Sequence, residues 1–153
     1  MALILWRLTK AQYAQTAFGG EGARPYGGRW NSPGRSVVYL AGSLALAALE
    51  ILVHVKSQSE LGGYVKIRVL APEGVESTVE ALPENWQQGR APDETRAIGD
   101  GWLEAGETLL LRVPSVTIPG EYNYLSNPHH RKFSEITFGK AEPFSFDPRL
   151  RRS

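Results

Sequence analysis

The chain has 153 residues, 17 Lys and Arg against 16 Asp and Glu, a formal charge of +1, and no cysteine. That length fits one domain with a real hydrophobic core, and the near-neutral balance gives no footprint for nucleic acid or an anionic membrane. Disulfides, thiolate catalysis and cysteine-bound zinc are excluded. The opening MALILWRLTKAQ lacks the cationic start of a secretory signal. The longest apolar run, Leu44 to Val55, is broken by Glu50 and His54 and falls short of the ~20 residues that cross a bilayer. A soluble, cytoplasmic, single-domain protein over 1–153 is expected, with 1–150 as the core and 151–153 as a frayed tail.

Ala2 to Leu8 reads as a strand with Arg7 near its end. Thr16 to Arg35 carries six glycines, two prolines and three arginines, the composition of a loop. Ser36 to Leu40 is β-branched and aromatic, a buried strand. Ser43 suits an N-cap, and Leu44 to Lys56, apolar on nearly every side, predicts a central buried helix. Tyr64 to Leu70 alternates apolar and polar, as a half-buried strand does. Residues 71–99, with three prolines and several glutamates, read as loop and turns around Trp86, followed by a short helix over Asp100 to Ala105. Thr108 to Val113 is a strong strand closed by Pro114. Asn123 to His130 reads as turn, with Asn127-Pro128 as its signal, and Phe133 to Phe138 and Glu142 to Phe146 as the last strands. Strands outnumber helices without alternating with them, which predicts an α+β fold on a mostly antiparallel sheet.

Glu50 is the most informative residue. Its helical neighbours are apolar, and a carboxylate buried among them costs several kcal/mol, of order, unless a partner compensates. It marks either a thin polar edge or the wall of a pocket, and Arg29 is the candidate partner. Arg29 lies in PYGGRWNSPG, where Gly27 and Gly28 allow close approach of the backbone. Its planar fork suits phosphate or carboxylate, although a solvated turn would hold the same residue. The glycines lack the spacing of a dinucleotide fingerprint or a P-loop. Tyr39, just before the helix, reads on its own as core. His54, His129 and His130 show no metal-ligand spacing, so no metal is expected. No nucleophile elbow surrounds Ser115, and the arginines at 149, 151 and 152 are too few for a nucleic-acid face.

Taken in order, these pieces resemble one family. Trp6-Arg7, GGRWN (Gly27 to Asn31) with Pro33-Gly34, VVYLA (Val37 to Ala41) and ALEILVH (Ala48 to His54) look like the first half of a RES domain. LPENW (Leu82 to Trp86), IGDGWL (Ile98 to Leu103), LRVPS (Leu111 to Ser115), EYNYLSNPHH (Glu121 to His130) and FSFDPRL (Phe144 to Leu150) look like the second. The resemblance covers almost the whole chain. It places the arginine, glutamate and serine of the family's name at Arg29, Glu50 and Ser115, with Ser126, where an apolar residue is expected before Asn-Pro, as the other serine.

The resemblance implies a fold similar to diphtheria-toxin-like ADP-ribosyltransferases and the toxin half of a bacterial toxin–antitoxin pair. Its activity would consume NAD as substrate, by hydrolysis or phosphorolysis or by transfer to a protein, with no further cofactor. An Xre-type helix-turn-helix antitoxin is the implied partner; neither DNA nor membrane is expected as one, and self-association as a homodimer stays open. Arg29, Tyr39, Glu50 and Ser115 are the implied catalytic set, and Arg7, Arg29, Tyr39 and Asn127 the implied NAD-binding set. The chemistry suits these residue types. Breaking the nicotinamide–ribose bond builds positive charge on the ribose, which a fixed carboxylate stabilises. Arginines hold a pyrophosphate, Tyr39 can stack on nicotinamide, and the neutral leaving group needs no strong acid. A non-catalytic NAD-binding or interaction domain is the competing reading from another class.

Overall fold

The computed structural model describes residues 2–150; the tail 151–153, expected to fray, lies outside the described residues. Strand β1 runs over Ala2–Lys10, longer than its apolar start suggested, and β2 over Val38–Ala41. Helix α1 spans Leu44–Leu52 and is capped by Ser43, whose Oγ accepts the Leu46 amide at 3.1 Å. Then come β3 (Tyr64–Pro72), β4 (Glu76–Thr78), helix α2 (Asp93–Ala105), β5 (Leu110–Pro114), β6 (Tyr122–Ser126), β7 (Thr137–Phe138) and β8 (Glu142–Phe144).

These strands build one sheet in the order β4-β5-β6-β2-β1-β3-β7, with β8 also on β3. All pairings are antiparallel except β4 with β5. The architecture is a single-domain α+β fold on a mostly antiparallel sheet, as the sequence pattern predicts.

Alternation along the strands sorts the core into two faces. Leu5, Val38, Leu40, Val69, Leu110 and Tyr124 are buried on one face beneath Phe18, Phe133 and Phe138. Ala41 meets α1 through Leu46, Ala47 and Ala48 on the other. Tyr39, two residues earlier on the same strand and so on the same face, packs with Leu111, Val113 and Leu125 under Ile98 and Trp102 of α2. Both helices therefore cover one face.

Four local readings are corrected. The helix predicted to Lys56 stops at Leu52, with Val53 as its C-cap and exposed. It presses one side onto the sheet, so α1 is less enclosed than its all-round apolar sequence predicts. Helix α2 begins at Asp93 rather than Asp100. The stretch beginning at Asn123, read as turn, starts in an inner strand, β6, and turns only after Ser126. Phe133–Glu135 forms a short 3-10 turn, so the last strands shrink to β7 and β8. Among the described residues, no helix is long and apolar enough to cross a membrane, and no His, Asp and Glu cluster is placed to hold a metal ion.

Candidate active site

The site begins where two strands part. β1 and β2 share one register pair, Trp6 opposite Ala41. Past it, Arg7 Nη1 donates to the Tyr39 carbonyl at 2.9 Å, so a side chain takes up an acceptor that a continuing ladder would use. A cleft of about 1140 Å³ opens there, lined by Arg7 and Tyr39 from these strands, Glu50 and Ile51 of α1, Asn123 of β6, Gly28 and Arg29 of the loop, and Arg96 of α2.

Glu50 sits in the last turn of α1, half-buried on the cleft wall. Its Oε1 accepts two hydrogen bonds, from Ser115 Oγ at 2.8 Å and from Asn123 Nδ2 at 3.0 Å. Ser115 directly follows β5 and is 1% exposed, and its Oγ in turn accepts the Ile118 amide at 3.1 Å. Ser115 thus lies buried behind the carboxylate and donates to it. Oε2 of Glu50 has no protein partner among the described residues. A carboxylate held by one oxygen and free at the other is fixed in orientation and still able to accept from a ligand hydroxyl.

The pairing expected between Glu50 and Arg29 is not a contact. Arg29 donates through Nη1 to Trp86 O at 3.0 Å and through Nη2 to Gly89 O at 3.4 Å, because its loop lies against the segment around Trp86. Burial lowers its pKa, and the charges of Glu50 and then Tyr39 oppose that shift through space. Arg7 carries its charge deeper: its Nε is buried without a partner, and burial pulls its pKa down.

Tyr39 turns its hydroxyl toward the loop. It donates to Asn31 Oδ1 at 2.6 Å and accepts the Trp30 amide at 3.2 Å, and burial raises its pKa, so it stays neutral. A Cβ at Gly28 would lie 2.6 Å from this hydroxyl, which explains a glycine there. Tyr39 therefore braces the loop and is also a lining residue of the cleft.

The structure does not bring Asn127 to this cleft. Its Oδ1 caps a turn by accepting the His129 amide at 3.0 Å, and the residue lines a separate depression with Arg24, Arg35 and His129. Asn-Pro fixes a turn there. Ser126 is fully buried with an unpartnered Oγ, paired to Val38 and Leu110, whereas Ser115 touches Glu50.

Two residues escaped the sequence reading, Asn123 and Arg96. Asn123 belongs to a stretch read as turn, and Arg96 to one read as loop. Helix α2 grips the Gly-rich loop along one face: Arg96 Nε donates to Gly28 O at 3.0 Å, and Thr95 Oγ1 to Arg29 O at 2.6 Å. Asp100 Oδ1 accepts the Ser32 amide at 2.9 Å. Gly99 packs on Trp30 so closely that a Cβ would fall on its carbonyl oxygen. The recurrence of 95, 96, 99 and 100 at helical spacing was the available signal.

A model of the RES domain matches residues 4–147. The chain belongs to the RES domain family. A relative named Toxin Res from Yersinia enterocolitica is 38% identical to this RES domain over 97% of this chain and 100% of the relative. One named Prs ADP-ribosylating toxin, from a Sphingobium species, is 36% identical over 99% of each. In fold, the RES domain resembles a chain in the crystal structure of the Mycobacterium tuberculosis MbcT–MbcA toxin–antitoxin complex. The TM-score is 0.76 at 18% identity, with 98% of this chain and 87% of the other covered.

Proposed function

We propose that this protein is the toxin of a bacterial toxin–antitoxin pair and that it binds NAD in the cleft and cleaves the nicotinamide–ribose bond. The observation that carries the reading is Glu50, held at Oε1 by Ser115 and Asn123 with Oε2 left for a ligand, in a cleft that also holds Arg7, Arg29 and Arg96. The relatives' names support the toxin role.

In the reaction, Oε2 of Glu50 accepts from a ribose hydroxyl and stabilises the positive charge that grows on C1″ as its bond to nicotinamide lengthens. The bonding pair leaves with the nicotinamide nitrogen, which becomes neutral. Water then bonds to C1″ through its oxygen and gives up one proton to solvent, or hydrogen phosphate bonds through a charged oxygen and gives up none. The ring of Tyr39 offers nicotinamide a stacking surface. Arginines offset the negative charge of the pyrophosphate.

The name of the Sphingobium relative favours a second reading, in which a protein side chain takes the place of water. Incubating purified protein with NAD and separating the products tests both. Free nicotinamide with ADP-ribose or ADP-ribose 1″-phosphate supports cleavage to a small acceptor; nicotinamide with ADP-ribose bound to protein supports transfer. NAD left intact with and without protein acceptors overturns the proposal.

The partner would be an antitoxin, for which the fold likeness to a chain of a toxin–antitoxin complex is the support. An Xre-type protein that plugs the open cleft is the form proposed, and the site of action is the cytoplasm, where NAD is.

A further inference from the structure

Three arginines reach the cleft, and they are not equally free. Arg29 has both terminal nitrogens on backbone carbonyls, those of Trp86 and Gly89. Arg7 has Nη1 on the Tyr39 carbonyl and its Nε shut away from solvent. Arg96 differs. Only its Nε is engaged, with Gly28 O at 3.0 Å, and its two terminal nitrogens have no protein acceptor among the described residues. Like Arg7 and Arg29, it forms no ion pair: those among the described residues join Arg24 to Glu21, Arg35 to Glu104 and Arg149 to Asp147.

We propose that Arg96 is the residue whose guanidinium fork grips the pyrophosphate of the dinucleotide, while Arg29 serves to hold the segment around Trp86 in place. The assignment rests on the reading of this cleft as an NAD site. A bidentate phosphate contact needs two parallel N–H donors whose plane is fixed beforehand. The bond from Nε to Gly28 O fixes that plane and leaves both terminal nitrogens for the ligand. The support beneath it is equally set, since Thr95 and Asp100 tie α2 to the same loop at Arg29 and Ser32, just beyond Gly28. Little conformational entropy is then lost when the ligand arrives.

Arg96→Gln isolates the fork. The side-chain nitrogen of glutamine stands at the position of arginine Nε, so the bond to Gly28 O can be retained while both terminal nitrogens are removed. Calorimetry on wild type and variant would use ADP-ribose, nicotinamide riboside and inorganic phosphate as separate ligands. An unchanged melting temperature checks that the loop stays docked.

The expected result is a tenfold or greater weakening for ADP-ribose, with nicotinamide riboside, which has no phosphate, unchanged within twofold. ADP-ribose binding equal in both proteins overturns the assignment. So does a loss confined to inorganic phosphate, which would make the fork a site for a phosphate acceptor. A wild-type protein that binds neither NAD nor ADP-ribose overturns the NAD reading itself and Arg96 with it, and is told apart because the failure is already present without the mutation. If Arg96→Gln melts early, Arg96→Lys provides the second arm. It keeps the charge but loses the fork, and the same selective loss for ADP-ribose is expected; equal binding overturns the assignment.

Discussion

At Glu50, glutamine keeps an oxygen that can accept from Ser115 and Asn123 and removes the charge. Glu50→Gln is expected to melt like wild type and to lose NAD turnover by about 10²–10³, the usual effect of removing one preorganised electrostatic contact. Steady-state kinetics beside a thermal melt check this, and parent-rate turnover would remove Glu50 from the chemistry. Ser115 and Asn123 act on the same oxygen, so their effects should couple. Ser115→Ala and Asn123→Ala are each expected to lower kcat about tenfold with KM little changed, the worth of about 1.4 kcal/mol of positioning. A double-mutant cycle should show that the two losses do not add. Additive losses would mean that the two donors act independently. Tyr39 makes a separate prediction. Burial raises its pKa in the folded chain, so above the ordinary tyrosine value of ~10 the unfolded state releases a proton that the folded state keeps. Stability therefore falls as pH rises past that point, and denaturation at pH 8 to 11 should show a shallower fall in Tyr39→Phe.

The elements explain which parts of this site could be read from sequence. β3 is legible from its period-two alternation and β1, β2 and β5 from short apolar or β-branched runs, and with β2 and α1 come Tyr39 and Glu50. β6 is not legible, since its tyrosines, asparagine and serine resemble the turn they lead into; what makes it a strand is the sheet on both sides. With β6 went Asn123. The first half of α2 is hidden by Pro92 before it and by Gly99 and Gly101 within it, although Gly99 is there because the helix touches the loop. With that half went Arg96. A contact such as Ser115 to Glu50, 65 positions apart, leaves no local pattern at all. Docking of α2 on the loop yields its own test. Gly99→Ala must push the helix off Trp30 and is expected to cost about 1–3 kcal/mol of stability, as overpacking does. It should also raise KM for NAD, because Arg29 and Arg96 both depend on that contact. Unchanged stability in this variant would show that α2 and the loop do not press together.

For the whole molecule, the proposed function places control of the cleft outside this chain, with an antitoxin. The overall charge of +1 gives little long-range steering. A partner would have to rely on shape and apolar contact, and a peptide inserted into the cleft would compete directly with NAD. The proposed cleavage of NAD makes one physiological claim, that the protein stops growth by draining NAD. The most direct measurement is intracellular NAD during expression of wild type and of Glu50→Gln at equal soluble levels. The account predicts that NAD falls before growth slows with wild type, and that neither changes with Glu50→Gln. Growth arrest with NAD undiminished, or equal toxicity from Glu50→Gln, would contradict it.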